Sequence, residues 1–165
     1  MPSLQLIQTL AKESVSLCLK KHLTFGTAES CTGGLIAASV TDIPGASAAF
    51  FGGVVSYDNS VKHGLLGVKT ETLEMFGAVS EETAKEMSSG ALHALGVDFA
   101  VAVTGIAGPG GGTPTKPVGL VYISVASENG VIVTENHFSG DREAVRLQTV
   151  EKALSLLNGE IRKYS

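Results

Sequence analysis

The sequence predicts an α/β fold, a single-domain α/β/α sandwich with a mixed sheet across residues 1–165. Three observations lead there. Runs with strand character alternate with runs of helical apolar spacing, which is how helices come to lie on both faces of a sheet. The last two strand-like runs are joined by Glu128-Asn129-Gly130, a hairpin signal, so part of the sheet is antiparallel. Hydrophobic residues make up 44% of 165 residues, enough to bury a sizeable core.

Ile7, Leu10, Ser14, Leu17 and Cys18 recur at helical spacing, with Lys12, Glu13, Lys20 and Lys21 elsewhere, and predict an amphipathic helix over Ser3 to Lys21. Cys18 lies on its inner face as a small core residue, and His22 is a solvated residue near its end. A β-type run, Thr24 to Thr27, leads through Ala28–Gly34 into an apolar helix from Leu35 to about Thr41. Asp42 to Ala46 is a loop. Ala49 to Tyr57 reads as a buried strand with a bulge or close approach at Gly52 and Gly53. Asp58 and Asn59 cap a short helix through His63.

Thr70 to Phe76 is a short helix stopped by Gly77. Ser80 starts the next, with Glu81 and Glu82 in its first turn and Thr83, Ala84, Met87, Ala91 and Leu95 facing inward; Gly96 ends it. Phe99 to Thr104 is uninterruptedly apolar, as expected for the middle of a sheet. Gly105 to Pro117 is a loop. Leu120–Ala126 and Val131–His137 form the hairpin. Asp141 opens a last helix with Leu147, Val150, Leu154, Leu157 and Ile161 at its core face.

Composition narrows the function classes. Net charge is −4 with only 12 Lys and Arg, which argues against a basic nucleic-acid-binding face. Aromatic content of 5% without Trp argues against base-stacking platforms. Cys18 and Cys31 match neither zinc spacing nor a disulfide framework, so a reduced, cytoplasmic setting is expected. Met1 to Gln8 lacks the basic and apolar regions of a secretory leader, and no apolar run reaches membrane-span length. The expected partner is a small molecule, with neither nucleic acid nor membrane. A homo-oligomer is expected because small α/β enzymes often form symmetric assemblies.

Four stretches can carry chemistry. Ser30 stands where a strand hands over to a helix, so its hydroxyl can be exposed beside backbone N–H groups, as a nucleophile and its oxyanion require. Gly33 and Gly34 allow a ligand close to the backbone. The simpler reading makes Ser30 or Thr32 only an N-cap. Ser56 to Lys62 follows a strand end, where α/β sheets gather ligands. A desolvated Lys62 can serve as base to a serine, and Tyr57 can relay a proton or donate to an oxyanion; otherwise both are ordinary structural residues. Thr104 to Gly112 lacks the residues that close a nucleoside-triphosphate or dinucleotide loop. Its open N–H groups, at Gly105 and Gly108 among others, suit an anion or a planar amide, and Thr104 can bond substrate or nucleophile; otherwise it is a flexible glycine loop with no ligand. Arg142 and Arg146, one turn apart near a helix start, suit a phosphate monoester or form surface ion pairs. Cys31 is the rival nucleophile, with no His nearby in sequence to activate it.

Taken together, Ala28-Glu29-Ser30-Cys31-Thr32-Gly33-Gly34, Tyr57-Asp58-Asn59 with Lys62, Gly77-Ala78-Val79-Ser80, Ala102 through Gly111, Lys116-Pro117-Val118-Gly119 and Phe138 through Arg142 with Val145-Arg146 run over nearly the whole chain. In that order they resemble the CinA C-terminal domain family, also called nicotinamide-nucleotide amidases, in a stand-alone form. The resemblance implies hydrolysis of the carboxamide of nicotinamide mononucleotide to nicotinate mononucleotide and ammonia, within pyridine nucleotide recycling. It implies Ser30 as nucleophile and Lys62, Tyr57 and Thr104 as its catalytic partners, with no metal or cofactor. Gly33, Gly34, Gly105, Gly108, Arg146 and, second to it, Arg142 are the expected substrate contacts. Many members have Arg-Gly after the aromatic pair where this chain has Gly52-Gly53, so phosphate contacts are expected elsewhere. The alternatives are a non-catalytic pyridine-nucleotide-binding protein and a competence- or DNA-damage-related protein.

Overall fold

The computed structural model describes residues 3–165; Met1 and Pro2, the first of the Met1–Gln8 stretch read above for a leader, lie outside them. In chain order the elements are α1 (Leu4–Lys21), β1 (Phe25–Glu29), α2 (Leu35–Thr41), a 3₁₀ turn (Ala46–Ala48), β2 (Phe50–Val55), α3 (Asn59–Leu66), α4 (Thr70–Phe76), α5 (Glu81–Leu95), β3 (Phe99–Gly105), β4 (Leu120–Ser127), β5 (Gly130–His137) and α6 (Arg142–Lys163). The five strands form one sheet in the order β2-β1-β3-β4-β5. β1 runs parallel to β2 and β3, whereas β4 and β5 are antiparallel additions. The mixed sheet between helical layers is the expected architecture.

β3 stands at the centre, and its side chains divide by face. Phe99, Val101 and Val103 join the core under α1, α2 and α6. Ala100 and Ala102 join a second core under α3 and α5. Small alanines on that second face let α5 come close. On α6, Val150, Leu154, Leu157 and Ile161 are fully buried. Each such side chain stabilises the fold by about 1.5–3 kcal/mol through removal from water.

β2 departs from expectation. It is the sheet edge, with Phe51 and Val55 exposed, not a buried strand. An apolar run with two glycines does not distinguish an edge from a centre. The irregularity at this point is real: Phe25 pairs with Phe50 and Gly26 with Gly52, so Phe51 is an extra residue. The close approach is real too, since a Cβ on Gly53 would collide with the Thr27 hydroxyl. α3 runs a turn beyond His63, to Leu66. Among the described residues no helix is long and apolar enough to cross a membrane.

The parallel strands place three chain segments together. Glu29 pairs with Val55 on one side and Val103 on the other. The residues that follow, Ser30, Ser56 and Thr104, therefore share one rim of the sheet. From β1 the chain moves to β2 on one side, then returns through α3–α5 to β3 on the other. Such a reversal opens a crevice at the carboxyl ends of the strands.

Candidate active site

A cavity of ≈ 200 Å³ occupies that crevice, lined by Ser30, Cys31, Tyr57, Asn59, Lys62, Ala78, Val79, Thr104, Gly105, Ala107 and Arg142. Backbone bonds lace its floor. Ser30 N–H donates to the Val103 carbonyl at 3.1 Å, and Ser56 N–H donates to the Glu29 carbonyl at 2.8 Å. Gly33 and Gly34, at φ +60° and +102°, then turn the chain into α2. Side chains rarely adopt those angles, so glycine is needed there.

Lys62 comes in from α3. Its side chain is 1% exposed, and its Nζ lies 3.1 Å from Ser30 Oγ, 2.8 Å from the Ser56 carbonyl and 3.1 Å from the Tyr57 carbonyl. Desolvation pushes the amine below its ordinary pKa; the Asp58 charge opposes that shift. As an ammonium it donates to all three oxygens. In its neutral form it would have two N–H bonds, enough for the two carbonyls, and a lone pair for the serine hydroxyl. Ser30 and Lys62 form the contact that the sequence motifs anticipate.

The capping alternative for Ser30 and Thr32 does not hold. Gly34 is the N-cap of α2 and offers no side chain. The acceptor is Glu29, whose carboxylate takes the Ile36 and Ala37 N–H groups and the Thr32 hydroxyl. A strand-end carboxylate that reaches over the next helix, as Glu29 does, leaves no periodic signal in a sequence.

Three expected contacts are built differently. Tyr57 does not stand between lysine and serine: its hydroxyl accepts from Arg142 Nη2 at 3.3 Å, and only its carbonyl meets Lys62. The Thr104 hydroxyl donates to the Ala78 carbonyl at 2.8 Å, not to Ser30, and so ties the Ala78–Val79 segment over the cavity. Arg146 does not line the cavity. Its Nε and Nη2 donate to the Cys31 and Thr32 carbonyls at 3.1 and 2.9 Å, bracing the serine turn. Arg142 does line it, donating to the Gly108 carbonyl at 2.8 Å. Of the two arginines expected at the substrate, Arg142 and not Arg146 lines the cavity. Gly105 lines the cavity; Gly33 and Gly34 lie outside it.

Cys31 is buried at the cavity wall, and burial pushes its thiol up to about 11. A thiol in that state is a poor nucleophile at neutral pH. Cys18 is fully buried in the core, as its place on the helix predicts.

Fold and site together define a mixed α/β protein with a buried serine–lysine contact at the carboxyl ends of its parallel strands. Residues 7–161 match the model of the CinA C-terminal domain, and the chain belongs to that family. It is 54% identical over 153 residues to a CinA-like protein of Leptospira borgpetersenii serovar Hardjo-bovis, covering 92% of this chain and 37% of that protein. The chain thus spans about a third of the length of such relatives. It is 59% identical over 122 residues to the nicotinamide-nucleotide amidohydrolase PncC of Enterobacter agglomerans, covering 73% of this chain and 74% of that protein. Among solved structures it is similar to the competence/damage inducible protein CihA of Agrobacterium tumefaciens, with a TM-score of 0.93, 46% identity and 98% of each chain covered.

Proposed function

We propose that this chain is a serine amidohydrolase that converts nicotinamide mononucleotide to nicotinate mononucleotide and ammonia, within pyridine nucleotide recycling. The observation that carries the reading is the contact of a buried, desolvated Lys62 amine with the Ser30 hydroxyl. The similarity to a nicotinamide-nucleotide amidohydrolase supports the choice of substrate.

Neutral Lys62 takes the Ser30 proton as Oγ bonds to the carboxamide carbon. The resulting oxyanion needs donors in place before it forms. The N–H groups of Cys31 and Ala107, both on cavity residues, have no backbone acceptor among the described residues and suit that role. The Lys62 ammonium then gives its proton to the departing nitrogen, and ammonia leaves a nicotinoyl ester on Ser30. Water attacks the ester while Lys62 accepts the water's proton; Lys62 then returns that proton to Ser30 Oγ as the acyl–oxygen bond breaks and nicotinate mononucleotide departs.

The cavity of ≈ 200 Å³ is below the roughly 300–1,000 Å³ that encloses a drug-sized ligand. It suits the pyridine carboxamide and leaves the ribose phosphate at the mouth. Arg142 stands there with a guanidinium able to take a phosphate.

Ammonia release from nicotinamide mononucleotide, set beside free nicotinamide, tests the reading. Release from the nucleotide and little from the free base is expected. Binding of the nucleotide without ammonia release would leave a pyridine-nucleotide-binding protein instead.

A further inference from the structure

The serine turn sets two demands on the same hydroxyls. The first-turn N–H groups of α2 need an acceptor, and Ser and Thr are residue types that normally supply one. A serine that caps a helix has its oxygen committed to that bond. Here the cap comes from the strand before the turn. Glu29 is the last residue of β1 and is 1% exposed. Its Oε1 accepts from the Thr32 hydroxyl at 2.7 Å and the Ile36 N–H at 2.8 Å, and its Oε2 accepts from the Ala37 N–H at 3.0 Å. Ser30 Oγ is left with Lys62 Nζ.

We propose that Glu29 is a positioning residue for Ser30: it takes over the capping of α2 and thereby keeps the serine hydroxyl aimed at Lys62. The inference rests on the reading of Ser30 as nucleophile. Three donors meet the cost of burying the carboxylate, and a negative charge at a helix N-terminus is favourable. Both oxygens are needed, because they receive donors from different directions. A glutamine presents only one acceptor oxygen, so one helix N–H would face its NH₂ group. With an N–H of α2 left open, Ser30 and Thr32 become competing caps, and the serine turns from the lysine. Glu29 touches no reacting atom, so its loss weakens attack without weakening the encounter with an electrophile.

Saturable inactivation of the full chain by a fluorophosphonate, with the adduct mapped by mass spectrometry, separates those two effects without needing the natural substrate. In Glu29→Gln the limiting rate of labelling at Ser30 should fall about tenfold to a hundredfold, the scale of a small misplacement of a reacting group, with half-saturation within about twofold of wild type. Thr32→Val, which removes one of the three donors at nearly constant volume, should lower the limiting rate roughly fivefold, the worth of one hydrogen bond. It carries the test alone where Glu29→Gln does not fold. A limiting rate at the wild-type level in a folded variant overturns the proposal, as does a loss shared equally by rate and half-saturation. Wild-type protein that is not labelled at Ser30 overturns the nucleophile reading itself, a separate and recognisable result.

Discussion

At Lys62 three oxygens surround one nitrogen, and two of them are backbone carbonyls that cannot move away. The chemistry of the site follows from how that nitrogen holds its proton. The proposed reaction needs the free amine, so on that proposal kcat/KM should rise with pH until the lowered pKa of Lys62 is passed. Asp58 bears on that limb. Its charge favours the ammonium, while its carboxylate caps α3 through Ser60. Asp58→Asn keeps a capping oxygen and removes the charge. The acid limb of the pH–rate profile should therefore move to lower pH; movement to higher pH would contradict the assignment of that limb to Lys62. Much of this was legible in residue types: a serine at a strand-to-helix corner and a lysine past another strand end. The carbonyls of Ser56 and Tyr57 were not, because main-chain direction is set by the fold and not by side-chain identity. The direction of the Arg146 side chain was not legible for a related reason. Helical spacing put it on one face with Arg142, but only the packing of α6 beside the serine turn shows that its guanidinium faces carbonyls.

Among the elements, α1 and α6 form the pair that backs the sheet. Their contact includes a buried polar bond, from the Ser14 hydroxyl to Asn158 Oδ1 at 2.6 Å, with Asn158 Nδ2 donating to the Leu10 carbonyl at 3.0 Å. Lys21 adds hydrogen bonds to the Ile161, Arg162 and Tyr164 carbonyls and so ties the end of α6 to α1. Ser14→Ala leaves Asn158 Oδ1 buried without that donor and should cost about 1–3 kcal/mol in urea unfolding, with activity intact. A change below about 0.5 kcal/mol, the scale of an ordinary surface substitution, would remove this bond from the account of stability. Helical spacing placed Ser14 on the inner face of α1, but its partner lies 144 residues away, beyond the reach of any local pattern. The same limit explains β2. Its composition marks it as a strand, whereas its place at the sheet edge depends on the return of the chain through α3–α5 to the far side of β1.

Across the whole molecule, the site draws on segments that meet only because the strand order reverses at β1. Arg142 joins three of them: it starts α6, bonds the Gly108 carbonyl in the glycine loop, and meets the Tyr57 hydroxyl beyond β2. That station at the cavity mouth fits a guanidinium that exchanges these neutral partners for a phosphate. Arg142→Ala should raise KM for nicotinamide mononucleotide roughly tenfold to a hundredfold, the worth of one or two charged hydrogen bonds, and leave turnover of the phosphate-free riboside unchanged. Equal losses on both compounds would instead make Arg142 a brace for the loop.

The central claim is that Ser30 attacks and Lys62 removes its proton. Ammonia release from nicotinamide mononucleotide by folded Ser30→Ala and Lys62→Met proteins tests it most directly. Each substitution should lower kcat at least about a hundredfold, and the double variant should lose little more than either alone, because the two groups act as one unit. Turnover near the wild-type rate in either single variant would contradict the claim.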